Sequence, residues 1–280
     1  MIKLRPYQND IIKSLRTTLG KHKKTILCAP TGAGKTIMFT YLISEHLKRG
    51  GNVLVLTHRT ELLKQSGSSF QKFGLSPEFI VAGSKPDLSA KLHVCMVETL
   101  ERRKEAYNEF ILSKSLVVID EAHLNIFTKI LPSISPKAYV IGATATPERK
   151  GRTTPSLDEF YTGIVQRIDT PQLIEQGFLS TAKTYGMPIS LKGIKRRGND
   201  YDTSEYYEEN KTYIGVVKNW KRLCEGKKTI LFASNVKSSK RVCEEFNASG
   251  YPARHIDGNT PQNEREETLE WFNKTPDEIV

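Results

Sequence analysis

The stretch that decides the fold is TILCAPTGAGKT, residues 25–36. Residues 25–29 are mostly apolar, and this short run predicts a buried strand. Gly32 and Gly34 lack side chains, so backbone N–H groups can surround an anion closely. A helical stripe of apolar residues follows over 36–48, and the positive end of that helix would face the same anion. Strand, glycine turn and helix together predict a phosphate-binding loop.

The loop residues have separate expected roles. Lys35 is expected to reach the β- and γ-phosphates of ATP, and Thr36 is expected to bind Mg²⁺. The general pattern has glycine at the position of Ala29, and a chance glycine-rich turn is the alternative interpretation. The GKT triplet between a strand and a helix favours the nucleotide site. The other loop residues expected to contact ATP are Thr31, Gly32, Ala33 and Gly34.

A second motif is SLVVIDEAH, residues 115–123. Its continuous apolar run predicts a central strand of a parallel sheet. We expect Asp120, at the strand end, to belong to the Mg²⁺ shell, and Glu121 to orient and deprotonate the attacking water. An isolated Asp-Glu pair would be a solvated strand end. Downstream of a phosphate loop, the pair indicates the other half of the site, on a strand end neighbouring that loop.

Alternating strand and helix patterns extend this α/β interpretation over the chain. Further strands are predicted at 53–57, 92–97 and 139–143, and a helix at 60–73. We expect a first domain over 1–150, and a linker with a hinge helix over 151–180. A partial second α/β domain would cover 181–280. Its predicted strands are 181–187, 229–233 and 253–256, and its predicted helices are 213–223, 236–248 and 261–272.

Composition narrows the class of protein. The chain has 280 residues, a formal net charge of +11 and a pI near 9.4, and such an excess of Lys and Arg favours polyanionic partners. The charge alone favours equally a protein that binds nucleic acid and a basic protein that does not. No apolar run approaches the roughly 18 residues that cross a bilayer, so no membrane partner is expected. The four scattered cysteines favour a reducing cytoplasm.

At Asp120, Glu121, Ala122 and His123 the sequence resembles superfamily 2 helicases, whose DEAH-type Walker B motif has these residues. The resemblance implies two RecA-like domains and catalytic roles for Lys35, Asp120, Glu121 and His123. The segment LRPYQ, residues 4–8, resembles the adenine-recognition segment of that family. There Gln8 would pair with adenine through its amide, while Arg5 or Tyr7 packs nearby.

Other motifs extend the resemblance. THRTEL, residues 57–62, resembles motif Ia, which touches the nucleic-acid backbone. GATATP, residues 142–147, resembles motif III, and implies coupling roles for Thr144 and Thr146. LFASN, residues 231–235, resembles motif IV, and His255, Asp257, Gly258 and Arg265 match the second-domain pattern. The implied nucleic-acid contacts are Thr57, Arg59, Thr99 and Asn235. A basic loop has two equally weighted interpretations, a contact with duplex or forked DNA and a solvated loop; its residues are Lys192, Lys195, Arg196 and Arg197.

Within the superfamily, these motifs are similar to DNA repair and branch-migration members of the RadD-like, UvsW-like and XPB-like groups, and less to DEAD-box proteins. The resemblance implies a monomeric, ATP-dependent DNA helicase or translocase acting on forked, branched or single-stranded DNA in repair, recombination or replication. An RNA-remodelling ATPase is the alternative, as is a fragment that binds ATP or DNA without turnover. Glu98 stands where the family often has Gln. Motifs V and VI do not precede Val280, so we expect part of a longer protein, deficient in hydrolysis alone.

Overall fold

The computed structural model describes residues 3–58, 69–148, 155–186, 195–197, 200–202 and 215–274. The chain divides into two compact units, residues 1–183 and residues 184–280. None of the helices in these described ranges has both the length and the apolarity that crossing a bilayer requires.

The first unit has seven strands. They are β1 Lys24–Cys28, β2 Val53–Thr57, β3 Glu78–Ile80, β4 Leu92–Met96, β5 Leu116–Asp120, β6 Tyr139–Thr144 and β7 Gly163–Gln166. Its helices are α1 Pro6–Lys21, α2 Lys35–Lys48, α3 Val97–Arg102, α4 Asn108–Leu112 and α5 Thr170–Glu175. Short 3-10 turns lie at Asn125–Phe127, Leu131–Ser133 and Leu157–Glu159. The helix expected over 60–73 is helical at 69–72, and 59–68 lie outside the described residues.

All seven strands are parallel, in the order β3-β4-β2-β5-β6-β1-β7. Two apolar clusters cover the sheet, one on each face. Leu27 packs in one cluster with Phe39 of α2, whereas its neighbour Ile26 packs in the other with Phe127. Because both faces are covered, strand residues of either orientation must be apolar. The predicted parallel α/β sheet is confirmed, and its carboxyl ends share one edge.

Within the expected linker, 151–180, the hinge helix forms as α5, whereas residues 163–166 form a strand of the sheet instead of a connection. Strand β7 pairs with β1 and extends the sheet. In β7, Val165 is buried while Ile164 is 55% exposed, as suits an edge strand. Helix α5 begins after Asp169, whose side chain accepts a hydrogen bond from the Gln172 N–H at 2.8 Å. Leu173 is fully buried in the core of the first unit, so the segment after the loop completes the sheet.

The second unit contains α6 Val216–Cys224, α7 Val236–Ala248 and α8 Gln262–Lys274, together with an antiparallel pair, β8 Lys195–Arg197 and β9 Asp200–Asp202. The three helices agree with the prediction. Among the described residues, the predicted strands 181–187, 229–233 and 253–256 are not formed, apart from single bridge positions at 229 and 253. A strand needs neighbours for its N–H and C=O groups. The exposure of Ile230 and Phe232 shows that these residues lack such packing.

Candidate nucleotide-binding site

The phosphate loop joins the end of β1 to the start of α2, as the sequence predicts. Gly32 and Gly34 have φ angles of 83° and 79°, in the left-handed region that favours glycine. A Cβ on Gly34 would lie 2.6 Å from Nε2 of Gln8, closer than atoms can approach. Only glycine therefore fits where α2 begins. The missing side chain lets the Gln8 amide lie directly against the loop.

Lys35 bends back over its own loop. Its ammonium donates hydrogen bonds to the carbonyl oxygens of Ala29 at 3.1 Å and Pro30 at 3.4 Å. Both acceptors are uncharged, so the positive charge of Lys35 stays available to phosphate. Thr36 is half-buried in the first turn of α2, on the residue where the sequence predicts a Mg²⁺ ligand. The lysine and hydroxyl thus lie at the carboxyl edge of the sheet.

Asp120 ends β5 with 8% of its surface exposed. Burial, followed by the neighbouring charge of Glu121, raises its pKa to about 6, while the Glu121 N–H and the Lys35 charge act in the opposite direction. That N–H donates to Oδ1 of Asp120 at 3.1 Å. A bound divalent cation would offset the cost of burying this carboxylate. The carboxyl therefore fits the Mg²⁺ role given to it, together with Thr36.

The sequence predicts that the lysine loop and the acidic pair follow neighbouring strands, and this prediction is wrong. Strand β6 lies between β1 and β5, which separates the two strand ends by two spacings, about 10 Å. Lys35 begins the helix after β1 and Asp120 ends β5, so both residues lie at the carboxyl edge of the sheet. The cationic loop and the acidic pair therefore lie at one edge of the sheet, on either side of β6.

The acidic motif is hydrogen-bonded to the end of β6. Nδ1 of His123 lies 2.9 Å from Oγ1 of Thr144 and 3.4 Å from a carboxylate oxygen of Glu121. The Thr144 hydroxyl donates to the carbonyl of Thr146 at 3.0 Å and accepts from its N–H at 3.1 Å. Since that hydroxyl hydrogen is already used, His123 must donate from Nδ1. Glu121 itself has a φ of 53°, the only left-handed non-glycine backbone among the described residues.

Gln8 is buried against the phosphate loop. Its Oε1 accepts from the Arg5 N–H at 3.0 Å, and its Nε2 donates to the Ala33 carbonyl at 3.1 Å. The Tyr7 hydroxyl donates to the same carbonyl at 3.0 Å. Each end of the amide keeps one further hydrogen-bonding position. The loop therefore orients the amide for which adenine pairing is predicted.

Two of the predicted nucleic-acid contacts lie at the carboxyl ends of neighbouring strands: Thr57 ends β2 opposite Met96 of β4, and Thr99 is in the helix that follows β4. Thr57 and Thr99 are 2% and 8% exposed, on β2 and α3. Arg59 lies outside the described residues, as does Lys192. In the second unit, the Asn235 side chain accepts from the Ser238 N–H at 2.8 Å and caps α7. Helix capping alone explains that asparagine.

The turn at residues 255–258 of the second unit has its own polar network. Nε2 of His255 lies 3.1 Å from Oδ2 of Asp257, and Arg265 of α8 donates to the Asp257 carbonyl at 2.6 Å. The hydrogen bond from His255 lowers the pKa of Asp257. The histidine, aspartate and arginine that the sequence singles out thus lie together.

Sequence reasoning missed Phe178 and Leu179, which pack beside the loop. The Phe178 ring lies under the Arg5 guanidinium, and Leu179 lies against Gly32. The only indication of these residues in the sequence is Gly177, which follows the end of α5. Its φ of 72° changes the direction of the chain. Nothing in that signal indicates which surface the redirected residues meet.

A parallel sheet with a glycine loop and lysine at one strand end, and an acidic pair two strands away, defines a P-loop nucleotide-binding domain. Residues 1–149 match the family model described as type III restriction enzyme, res subunit, and residues 215–280 match the helicase conserved C-terminal domain. The first match covers more than half of the chain, which belongs to this family of superfamily 2 helicases.

Three known proteins illustrate the similarity. A 51.5 kDa protein of Lactococcus phage (isolate 7-9) is 27% identical over 248 residues, which are 86% of this chain and 50% of the relative. The protein IRC3 of Saccharomyces cerevisiae is 27% identical, covering 99% of this chain and 44% of its own. The chain thus spans about half the length of these relatives. The structure of the ATP-dependent Type ISP restriction-modification enzyme LlaBIII bound to DNA covers all of this chain and 24% of its own, with 16% identity and a TM-score of 0.71, which supports the RecA-like fold.

Proposed function

We propose that this chain is the motor portion of an ATP-dependent DNA helicase or translocase that acts in DNA repair, recombination or replication. One observation carries the proposal: Lys35 and the pair Asp120 and Glu121 share the carboxyl edge of one parallel sheet, on either side of β6. That arrangement supports a site in which a cation, a metal-binding carboxylate and a base act on one bound nucleotide.

Each residue has a defined task in hydrolysis. Lys35 would bind the terminal phosphates of ATP, and Thr36 and Asp120 would hold Mg²⁺, which would supply positive charge to the phosphates during hydrolysis. Glu121 orients the attacking water and accepts its proton. Its backbone N–H donates to Oδ1 of Asp120, which ties the backbone of Glu121 to the carboxyl proposed to bind the metal. Gln8 and Arg5 recognise the base.

Coupling to movement is assigned to the hydrogen bonds from His123 to Thr144 and from Thr144 to Thr146. A shift of Glu121 during turnover changes the contact of His123, and Thr144 transmits that change to an exposed segment after β6. In the variant Thr144→Val the side-chain shape is kept and these bonds are lost. We expect ATP turnover to persist while its stimulation by DNA falls; unchanged stimulation would contradict the coupling role.

DNA is proposed as the polymer because the charge is +11 and because a structural relative is described as bound to DNA. Thr57, Arg59, Thr99 and Asn235 remain the proposed contacts. We also propose a monomer, in which ATP is bound by the 280-residue chain but hydrolysed slowly. RNA remodelling stays the alternative, since nothing in the motifs reads the sugar.

The deciding experiment measures ATP binding and hydrolysis, by this chain and by a longer protein containing it, with forked DNA, single-stranded DNA and RNA over a range of salt. DNA-stimulated hydrolysis that falls with salt and is lost in Lys35→Ala is expected. Stimulation by RNA alone would favour the alternative. Binding without hydrolysis in either form would leave only a binding module, and no ATP binding would refute the motor.

A further inference from the structure

The segment that follows α5 lies against the base end of the candidate site. We propose that Phe178 is a positioning residue for the nucleobase: it holds the Arg5 guanidinium so that the opposite face of that group stacks on adenine. The inference rests on the proposed ATP site and adds a residue from outside the recognised motifs.

The position of Phe178 is fixed by the core. After Gly177 the N–H groups of Phe178 and Leu179 both donate to the carbonyl of Leu173, at 2.8 and 3.0 Å. Leu173 is fully buried, so this turn is anchored to the interior of the first unit. Both side chains are therefore directed at a defined surface.

That surface is the segment before α1. Cζ of Arg5 lies 4.6 Å from the centroid of the Phe178 ring, and the Tyr7 ring centroid lies 5.1 Å from it at an angle of 59°. Nη1 of Arg5 also donates to the Tyr7 hydroxyl at 3.3 Å. A guanidinium over an aromatic ring is held by cation–π attraction of about 0.5–2 kcal/mol. Arg5 is otherwise exposed, so Phe178 and Tyr7 restrict a side chain that would move freely.

The same cluster is joined to the phosphate loop. Tyr7 and Gln8 both donate to the Ala33 carbonyl, and a methyl group of Leu179 would lie 2.7 Å from a Cβ on Gly32. The Arg5 plane is thus held at a set distance from the glycines that surround the phosphates. A nucleotide whose phosphates enter the loop would present its base to this plane and to the amide of Gln8.

A guanidinium is planar and stacks on aromatic faces. Phe178 covers one face of Arg5, and the exposed side chain offers the other to a purine. Phe178 itself does not need to touch the nucleotide. Its loss should weaken recognition of the base while leaving the phosphate contacts intact, which a role in loop folding would not do.

The test compares the affinities of ADP and of pyrophosphate, each with Mg²⁺, for the unaltered chain, Phe178→Ala and Phe178→Tyr. Phe178→Ala should weaken ADP binding about 2- to 30-fold, the range of a cation–π contact, and leave pyrophosphate binding unchanged. Phe178→Tyr should restore ADP binding. Phe73→Ala is the matched control, because Phe73 packs edge-on to Tyr41 at 6.5 Å elsewhere in the same unit. Where turnover is measurable, KM should rise without a change in kcat.

Equal losses for ADP and pyrophosphate would overturn the inference, since they would indicate damage to the loop. Unchanged ADP affinity in Phe178→Ala would also overturn it, as would an unaltered chain that binds pyrophosphate as tightly as ADP. In each of these three outcomes the unaltered chain still binds pyrophosphate, so the proposed phosphate site stands. Binding of neither ligand by the unaltered chain would instead refute the proposed function.

Discussion

Similar apolar sequences form a strand in the first unit but not in the second unit. In the first unit TILC at 25–28 is a strand with neighbours on both sides and buried side chains. In the second unit TILF at 229–232 pairs at one bridge position, and Phe232 is 93% exposed. An apolar, β-branched run therefore becomes a strand only where other strands satisfy its backbone and helices cover its faces.

The two units also differ in the size of their hydrophobic cores, and the candidate site residues lie on the unit with the larger core. Lys35, Asp120 and Glu121 stand on a sheet with a core on each face. The described core of the second unit consists of Trp220, Val242 and Phe246, with partly buried neighbours. Full burial of one such side chain contributes about 1.5–3 kcal/mol. A site that needs fixed geometry is thus carried by the unit with the larger core.

The largest expected effect isolates the chemistry of the first unit. Glu121→Gln keeps the side-chain shape but removes the base, and should slow ATP turnover by about 10²- to 10⁴-fold with ATP binding unchanged. The measurement is ATP hydrolysis and nucleotide affinity in a longer protein that contains this chain. Glu225→Gln in the second unit, where Glu225 accepts from the Tyr251 hydroxyl, is the control and should hydrolyse normally. Equal hydrolysis by Glu121→Gln and the unaltered protein would remove Glu121 from the mechanism.

The second effect compares the two cores directly. Phe39 and Phe246 are both fully buried, and Phe→Ala costs about 3–5 kcal/mol in a core. We expect Phe246→Ala to unfold the second unit, and Phe39→Ala to weaken the first. Both tryptophans, Trp220 and Trp271, lie in the second unit, so their fluorescence reports that unit, while circular dichroism follows both. One shared transition, shifted equally by either variant, would show that the units unfold together.

The third effect is a pH dependence in the first unit. The folded-state pKa of Asp120, about 6, lies above its ordinary value of 3.8, so folding takes up a proton between these values. Stability from this group is therefore present below pH 4 and is lost as the pH rises through 6, by about 2–3 kcal/mol. Asp120→Asn should be more stable than the unaltered chain at pH 8 and equal to it at pH 4, in urea unfolding followed by circular dichroism. An advantage that is constant with pH would contradict this assignment.

The smallest change in the free energy of unfolding is expected at Phe232, an exposed apolar side chain of the second unit. Phe232→Ser should change the free energy of unfolding by less than about 0.5 kcal/mol, as exposed substitutions do. Tryptophan fluorescence during urea unfolding measures this, with Phe246→Ala as the buried counterpart. A loss comparable to that of Phe246→Ala would mean that Phe232 is buried in solution.

The long strands were predictable because β2 and β5 are continuous apolar runs, a pattern that only a buried parallel strand requires. Strands β3 and β7 were missed since EFI and GIVQ are short edge strands with few buried residues. The candidate nucleotide site was predicted from local motifs, in which the lysine begins the helix after a glycine turn and the acidic pair ends a strand. The insertion of β6 between them is a property of sheet order, which spacing along the chain does not encode. Phe178 and Arg5 meet from opposite ends of the first unit, so their contact could not be predicted locally.

At Glu121 the backbone conformation favours glycine, whereas the proposed hydrolysis requires a carboxylate. A side chain in the left-handed backbone region carries a cost of roughly 1–2 kcal/mol that glycine avoids, and the φ of Glu121 is 53°. With the role proposed for Glu121, a mutation to glycine is therefore expected to raise the stability of the fold and to abolish hydrolysis. On that role, relatives selected for hydrolysis should keep glutamate at this position, whereas glycine or asparagine is expected where only binding is retained.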